Sequence, residues 1–385
     1  MSALSDTASG VLSGLAAIGV TVALAMSNQP TPVAAASQLY ELAIDEVAGG
    51  LSHPWGIAFL PDGGFLVTER GGRLNLFDDA GRRIAVAGVP AVAAQGQGGL
   101  LDVALDPAFT GNRRVYLSYA EAGAGGAGTA VARGALRVGD GGARLDDVEV
   151  IFRQEPKVAS GQHFGSRLVF ARDGTLFVTL GERGQGEPAQ DPTNHIGTIV
   201  RINPDGSIPA DNPFAGGGGG RPEIYSIGHR NVQGADLDVN GRLITVEHGA
   251  RGGDEINFPE PGKNYGWPTI SYGRHYTGGR IGVGTAAPGL EQPVHYWDPS
   301  IAPSGLAVYD GDLFSEWRGD ILVGALRAQL LTRLEMSGGR VTREERMLEG
   351  ELGRIRDVEV GPDGAVYLLT DKDSGGVYRL TPAAD

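Results

Sequence analysis

Apolar and polar residues alternate in six short stretches of the chain, and each stretch is followed by a turn and a second apolar run. The turn is Asp-Gly at Asp62, Asp173 and Asp363, and Asn-Gly at Asn240. Alternation with a period of two is typical of a half-buried β-strand, and Asp-Gly and Asn-Gly supply the positive φ angles of a tight hairpin turn. The pattern therefore predicts six β-hairpins, over 57–67, 103–117, 168–178, 236–244, 306–323 and 358–368.

The six hairpins repeat at intervals of roughly 45 to 75 residues, which leaves room for two further strands and a loop in each unit. A single hairpin is unstable in water, so each copy needs neighbours that cover its apolar face. Repeats with this content are typical of propeller blades. We therefore predict an all-β fold, a six-bladed β-propeller with four-stranded antiparallel blades. A large β-sandwich is the alternative, but it does not require the same pattern at every inner position.

Composition agrees with many short strands. The chain has 63 glycines among 385 residues, spread between the apolar runs without a period of three, which excludes collagen. The formal charge of −14 provides no electrostatic footprint for nucleic acid, so we expect no nucleic-acid partner. Cysteine is absent, which excludes disulfides and thiolate ligands. Any metal must therefore be held by oxygen or histidine ligands.

The N-terminus differs from the rest of the chain. No charged residue occurs between Asp6 and Glu41, and 11–26 is an apolar run followed by small residues at 34–36. The run is short for a bilayer span and resembles the core of a secretory signal. We interpret residues 1–36 as a signal peptide or a disordered segment, with a lipid-facing anchor as the alternative, and residues 37–385 as one propeller domain. This predicts a periplasmic or secreted protein with no stable membrane span in its mature form.

Polar clusters stand just before four of the hairpins, where loops from different blades meet at one end of a propeller. His163 offers an imidazole, the usual base near neutral pH, and arginine beside an amide suits carboxylates. The clusters contain Gln97 before the second hairpin, His163 before the third, Arg230 and Asn231 before the fourth, and Arg354 and Arg356 before the sixth.

The arginines indicate an anion site in an otherwise acidic protein. Arg354 and Arg356 are two apart on a strand and point to one face, where they repel unless an anion joins them. Arg327 adds a further cation from the fifth unit. Ion pairs with Asp357 or Glu359 are the alternative explanation.

A glycine-rich acidic segment, 247–257, is the most distinctive stretch of the chain. Hard cations such as Ca²⁺ prefer carboxylates and backbone carbonyls, and this segment offers both. The alternative is an acidic turn capped by the aromatic residues at 264–268.

Five motifs in this order resemble those of the soluble pyrroloquinoline-quinone (PQQ) dependent sugar dehydrogenases, and the aldose sugar dehydrogenase branch more than soluble glucose dehydrogenase. The likeness runs from about Leu51 to Leu380. The motifs are Gly-Gln-Gly-Gly-Leu-Leu at 96–101, Gly-His-Arg-Asn at 228–231, Gly-Gly-Asp-Glu-Ile-Asn at 252–257, Asn-Tyr-Gly-Trp-Pro at 264–268 and Arg-Ile-Arg-Asp-Val at 354–358.

The resemblance implies oxidation of an aldose at C1 to the lactone, with hydride transfer to PQQ and re-oxidation by an external electron acceptor. It implies that His163 is the catalytic base and that Gln97 and Tyr276 place the sugar. The implied PQQ ligands are Arg230, Asn231, Arg327, Gln329, Arg354 and Arg356. The implied ligands of the Ca²⁺ that also binds the quinone are the carbonyls of Gly249 and Ala250, and those of a second, structural Ca²⁺ are Glu255 and the carbonyl of Tyr265.

Two other functions fit a six-bladed propeller. A calcium-dependent lactonase-like hydrolase would use the metal to activate water, but it has no need of the arginines. A non-catalytic binding propeller would leave His163 and the Gly-Gly-Asp-Glu turn unexplained.

Overall fold

The structure, a computed structural model, describes residues 39–383 and consists almost entirely of β-strands. Helical turns within this range are limited to α1 (Phe109–Asn112) and two 3₁₀ turns, Glu187–Gln190 and Ser315–Trp317. The all-β class is thus confirmed. None of these helices is long and apolar enough to cross a bilayer. The predicted signal peptide, residues 1–36, lies outside the described residues.

The first strand and the last strand of the described chain pair with each other. Strand β1 (Leu42–Leu51) runs antiparallel to β24 (Gly375–Pro382), with Leu42 opposite Pro382. Because β1 belongs to the last sheet and leads directly into the first, this pairing links the first and last sheets of the structure.

The next eight strands form one sheet of two antiparallel halves. The first half contains β2 (Pro54–Phe59), β3 (Phe65–Glu69), β4 (Arg73–Phe77) and β5 (Arg83–Ala87). The second half contains β6 (Leu100–Leu105), β7 (Arg114–Gly123), β8 (Gly126–Gly139) and β9 (Gly142–Arg153). The halves join where β5 pairs with β9 in parallel, over Val86–Ala143 and Ala87–Arg144.

The remaining strands form four four-stranded antiparallel sheets, as the sequence predicts for a blade. One contains β10 (Leu168–Phe170), β11 (Leu176–Thr179), β12 (Thr198–Ile202) and β13 (Ile224–Ile227). The next contains β14 (Val232–Leu237), β15 (Leu243–Glu247), β16 (Asp254–Asn257) and β17 (His295–Trp297). The third contains β18 (Pro303–Val308), β19 (Ile321–Ala325), β20 (Leu331–Ser337) and β21 (Arg340–Met347). The fourth contains β22 (Ile355–Val360), β23 (Val366–Thr370), β24 and β1.

All six predicted hairpins are present as antiparallel pairs, namely β2–β3, β6–β7, β10–β11, β14–β15, β18–β19 and β22–β23. Their first strands contact one another in a closed series, from β2 through β6, β10, β14, β18 and β22 back to β2. The first strand of every hairpin is therefore an inner strand, and the loops before these strands converge.

The apolar cores lie between neighbouring sheets. Between the sheet of β18–β21 and that of β22–β24, Tyr309, Phe314 and Trp317 are buried with leucines of both sheets. The rings of Phe314 and Trp317 stack with centroids 4.1 Å apart. Tyr40 packs edge-on against both rings, which anchors the start of β1.

Buried charges occupy the centre of the series of inner strands. Arg167 donates from Nη1 to Asp102 at 3.1 Å, and its Nη2 lies 2.8 Å from Oδ1 of Asp357. Below this trio a cavity of about 900 Å³ is lined by Arg167, Asp236 and Glu359 among others. This large cavity contains none of the predicted site residues, and size alone is therefore a poor guide to the active site here.

Candidate active site

A second cavity, of about 170 Å³, lies at the end of the inner strands where the preceding loops converge. Its wall combines two aromatic rings with amides, guanidinium groups and one carboxylate. It is lined by Trp55, Arg70, Gln97, Leu101, Phe164, Gly165, Asn231, Gln233, His248, Ala302, Leu326, Arg354, Arg356 and Asp371. The structure thus brings together Gln97, Asn231, Arg354 and Arg356, which come from three different hairpins.

His163 is buried next to the cavity-lining Phe164 and is 7% exposed. Its N–H donates to Oε1 of Gln97 at 2.8 Å, and its Nδ1 is hydrogen-bonded to the carboxylate of Glu182. Because Nδ1–H donates to a carboxylate, Nε2 remains as the accepting nitrogen of the neutral ring. Burial lowers the pKa of His163, although the Glu182 hydrogen bond acts in the opposite direction. The ring is therefore neutral near pH 7 and is held in one orientation.

Glu182 is a site residue that the sequence pattern did not single out. It follows β11 at the same end of the hairpin that His163 precedes, and it is 2% exposed. Its N–H donates to the carbonyl of Arg230 at 2.8 Å, and its Oε2 accepts from the N–H of Gly186 at 2.6 Å. Burial acts to raise the pKa of Glu182, but the hydrogen bonds from His163 and from the N–H of Gly186, together with the charge of Arg230, act in the opposite direction and the pKa is lowered. An ionised carboxylate therefore orients the histidine.

Asp371, which the sequence pattern also did not single out, is the common partner of three arginines and one histidine. Its Oδ2 accepts from Nη2 of Arg354 at 3.1 Å and of Arg356 at 3.3 Å. Its Oδ1 is 2.7 Å from Nδ1 of His53 and 3.9 Å from Nη1 of Arg70. Burial favours the protonated form, but the charge of Arg356 and these bonds hold the pKa of Asp371 far below its usual range. One carboxylate thus faces a surplus of positive charge.

The buried Arg356 retains unused hydrogen-bonding capacity. Its Nη1 donates to Oε1 of Gln233 at 3.0 Å, while its Nε is buried without a partner. The alternative pairing with Asp357 or Glu359 is wrong, because Asp357 pairs with Arg167 and Glu359 lines the cavity at the opposite end. A buried guanidinium with a free donor, in a cationic wall, fits an anionic ligand such as a polycarboxylate.

Arg230 and Asn231 stand between this cavity and a smaller neighbour. Asn231 lines the 170 Å³ cavity, and its Oδ1 accepts from the N–H of Gly165 at 3.2 Å. Arg230 donates from Nη1 to the carbonyl of His248 at 3.3 Å, and its guanidinium lies 5.1 Å from the ring centroid of Trp267. Its Nε, like that of Arg356, is buried without a partner. Arg230 therefore also has an unpaired N–H group that can donate to a ligand.

Three predicted ligands lie outside the cavity wall. Arg327 and Gln329 are exposed in the turn between β19 and β20, where the adjacent Leu326 lines the cavity instead. Tyr276 is 72% exposed in the long segment between β16 and β17. The structure does not bring these three side chains to the cavity.

The smaller cavity, of about 10 Å³, is lined by three of the predicted metal ligands, Gly249, Glu255 and Tyr265. Ala250 is buried directly after Gly249. Burial and the charge of the adjacent Glu247 raise the pKa of Glu255 well above its usual value, and neither carboxylate pairs with a lysine or arginine of the described chain. Two neighbouring carboxylates without a lysine or arginine partner repel each other unless a cation binds between them, and carboxylate oxygens are ligands that Ca²⁺ prefers.

Side chains alone do not complete such a site. Within residues 39–383, no three acidic or histidine side chains are grouped closely enough to hold a metal ion. A cation at Glu255 would therefore need backbone carbonyls as further ligands. The family resemblance implies the carbonyl of Tyr265 for this second site, and the carbonyls of Gly249 and Ala250 for the Ca²⁺ that also binds the quinone.

Comparison with known proteins identifies the family. The family model for glucose/sorbosone dehydrogenases matches residues 51–379. The chain belongs to the glucose/sorbosone dehydrogenase family. Membership of this family makes it an oxidoreductase and confirms the resemblance to the soluble aldose sugar dehydrogenases.

Relatives of the chain match most of its length. Aldose sugar dehydrogenase YliI of Escherichia coli is 47% identical over 339 residues, 86% of this chain and 91% of that protein. The crystal structure of the soluble aldose sugar dehydrogenase from Escherichia coli in the apo form has a TM-score of 0.86 at 44% identity and covers 89% of this chain and 100% of that one. The PQQ-bound aldose sugar dehydrogenase from Streptomyces coelicolor has a TM-score of 0.72 at 31% identity, over 89% and 99% of the two chains.

Proposed function

We propose that the chain is a six-bladed propeller in which the eight-stranded sheet is two blades. The closed series of six inner strands supports this count, and so does the division of the large sheet into two antiparallel halves. The single parallel contact between β5 and β9 then joins the outer strands of two neighbouring blades. We also propose that residues 1–36 direct export to the periplasm or out of the cell.

We propose that this propeller oxidises aldose sugars at C1 to the lactone, with PQQ and Ca²⁺ as cofactors. One observation carries the proposal, namely a carboxylate-oriented histidine beside a cavity whose arginines outnumber their carboxylate partner. A sugar hydroxyl needs a base, and a quinone tricarboxylate needs cations. The PQQ-bound relative from Streptomyces coelicolor supports the choice of cofactor.

The buried cations are the groups that would hold PQQ. Arg356 and Asn231 line the cavity and Arg230 adjoins it, and the free Nε atoms of the two arginines are available to a carboxylate. Arg354, about half exposed, would bind at the mouth, and Arg327 and Gln329 would reach the ligand only from the rim. PQQ bound there supplies a hydride acceptor, and Ca²⁺ supplies a Lewis acid.

His163 is the proposed base for the sugar. Its Nε2 would take the proton of the anomeric hydroxyl as the C1 hydrogen leaves as hydride, so that the lactone carbonyl forms. Glu182 holds the Nδ1 proton throughout and stabilises the imidazolium that results. Gln97 holds the loop through the His163 N–H and faces the cavity, where its amide nitrogen can bind a sugar hydroxyl. We also propose that Tyr276 contacts the sugar from outside the cavity wall.

The proposed ligands of the Ca²⁺ that also binds the quinone are the carbonyls of Gly249 and Ala250, and those of a second, structural Ca²⁺ are the Glu255 carboxylate and the carbonyl of Tyr265. The raised pKa of Glu255 and the adjacent Glu247 carboxylate support a cation in this position.

Reconstitution tests the proposal. Purified protein is mixed with PQQ and Ca²⁺, and aldose-dependent reduction of an artificial dye is measured, with PQQ binding followed separately by fluorescence quenching. Activity that requires both additions supports the proposal. No activity on any aldose together with no PQQ binding rejects it, and hydrolysis of a lactone by the calcium-loaded protein would favour the hydrolase instead.

The His163→Ala variant tests the base. We expect it to bind PQQ like the wild type and to lose about 10²- to 10⁴-fold in turnover. The exposed His275 provides the matched control, and His275→Ala should retain full dye activity. Wild-type turnover in His163→Ala would remove His163 from the mechanism.

A further inference from the structure

Three arginines face one another on the two segments that flank β16. Arg251 is bridged to Arg274, and Arg274 is bridged in turn to Arg280, both in antiparallel orientation. The N–H of Arg251 donates to the carbonyl of Arg274 at 3.0 Å, and the reverse bond is 3.2 Å. Residues directly opposite in an antiparallel pair project to the same face. Arg251, Arg274 and Arg280, here called the arginine row, therefore present their three guanidinium groups on the same face of these paired segments.

The arginine row has no counter-charge of its own. All three side chains are exposed, and none forms an ion pair or a side-chain hydrogen bond with another residue of the described range 39–383. Like charges placed directly opposite destabilise a bridge. The chain as a whole carries a formal charge of −14, so the row is a local reversal of sign. An anionic partner would relieve the repulsion.

The surroundings of the row suit a protein partner better than a small ligand. Tyr276 and Val283, on the same loop, are 72% and 63% exposed. Tyr276 is the one strongly exposed aromatic side chain among the residues described. Arginine and aromatic residues are enriched in protein interfaces. The row lines neither the cavity of about 900 Å³ nor the cavity of about 170 Å³, so it offers an open surface and not a concave site.

The row also lies close to the candidate cofactor site. Arg251 follows the cavity-lining His248 by three residues, a span of at most about 11 Å of extended chain. The residues between them are the proposed calcium ligands Gly249 and Ala250. A protein docked on the row would therefore stand beside the group that releases electrons.

We propose that the arginine row is the docking surface for an acidic electron-carrier protein that accepts one electron at a time. This inference rests on the proposed function. Oxidation of an aldose to its lactone releases two electrons and two protons. Two oxidised carriers are each reduced by one electron per sugar, and the two protons pass to solvent.

The experiment compares two forms of one acceptor on the PQQ- and calcium-loaded protein. Native cytochrome c is basic, and succinylation converts its lysines to carboxylates without changing the haem. At low ionic strength we expect faster reduction of the succinylated form, with a rate that falls as salt is added. The triple variant R251Q/R274Q/R280Q should lose about ten-fold of that rate while dye reduction stays at the wild-type level.

A matched variant controls for net charge. R137Q/R144Q/R340Q removes three exposed arginines from other sheets and changes the formal charge by the same amount. We expect this control to reduce succinylated cytochrome c at the wild-type rate. Equal rates for the row variant and the wild type, or a preference of the wild type for native cytochrome c, would overturn the proposal.

A binding measurement separates this proposal from the proposed function. Absence of dye turnover in the wild type would reject the enzymatic function, but sedimentation of the protein with succinylated cytochrome c still tests the surface. Binding that the row variant loses supports the docking site, and absent or unchanged binding overturns it. A dimer of the protein alone that dissociates in the row variant would assign the row to self-association instead and would also overturn the proposal.

Discussion

Replacing Glu182 by glutamine removes the charge that orients His163 and leaves the size of the side chain unchanged. In the structure the carboxylate accepts from Nδ1 of His163 and from the N–H of Gly186 at 2.6 Å. The amide NH₂ of glutamine can instead donate to Nδ1. That exchange would place the ring proton on Nε2 and abolish the accepting nitrogen that the proposed reaction needs.

The size of the effect follows from two losses. A positioned general base contributes about 10²- to 10⁴-fold in rate, or about 2.7 to 5.4 kcal/mol at 1.36 kcal/mol per ten-fold. Both contributions of Glu182 to the pKa of His163 are upward, so their removal lowers this pKa further and weakens the base. We expect kcat/KM of Glu182→Gln to fall about 100-fold or more, with PQQ binding unchanged because Glu182 does not line the cavity.

The assay is the pH dependence of kcat/KM for an aldose between about pH 4 and pH 8. The proposed reaction requires neutral His163, so we expect the rate to rise with pH through the pKa of this residue and then to reach a plateau. Because burial lowers that pKa, the rise in the wild type lies below the unperturbed value of 6.5. In Glu182→Gln the plateau should drop and the rise should move to still lower pH.

The exposed Glu187, in the same loop, supplies the control. Glu187→Gln should match the wild type in both plateau and pH profile. An unchanged plateau in Glu182→Gln, or a rise that moves to higher pH, would refute the assignment of Glu182 as the group that positions His163.

Four further variants test other parts of the site. Arg356→Gln should weaken PQQ binding about 10- to 100-fold in a fluorescence titration, because it removes a buried charged donor. Arg327→Gln, which changes an exposed side chain, should alter PQQ binding by less than about five-fold. Equal losses of PQQ affinity in the two variants would contradict the greater importance of Arg356. The raised pKa of Glu255 means that stability of the calcium-free protein falls as pH rises from 4.5 through the folded-state pKa. Glu255→Gln should therefore unfold no earlier than the wild type at pH 7.5 without calcium, and the rise in Tm on adding Ca²⁺ should be smaller than in the wild type. Asp254 accepts the N–H of Gly249 at 2.8 Å and three further donors, so Asp254→Asn should lower the free energy of unfolding in urea by about 1 to 3 kcal/mol.

The hairpins could be predicted from the sequence because their information is local. An Asp-Gly turn such as Asp173-Gly174 sets the backbone twist, and the flanking alternation selects the buried face. Each predicted hairpin is present, with Leu168 opposite Val178 and Val358 opposite Leu368. The same repeat predicted that the loops before the inner strands converge, and Gln97 and Arg356 line one cavity there.

Pairings over long sequence distances could not be predicted in this way. The parallel contact of β5 with β9 and the closure of β1 on β24 join segments whose patterns do not specify a partner. Alternation shows which face of a strand is buried, but it does not show which strand lies beside it.

The electrostatic partners of the site were likewise decided by tertiary structure alone. The sequence pattern singled out His163 and the arginines. The carboxylates that bind them, Glu182 for His163 and Asp371 for the arginines, lie at the ends of neighbouring strands and belong to no recognisable motif. The family resemblance implies Arg327 as a PQQ ligand, yet its turn leaves it exposed and outside the cavity wall. Side-chain chemistry can be read from a sequence, whereas the distance and burial that set a pKa or leave a donor free arise only when separate strands meet.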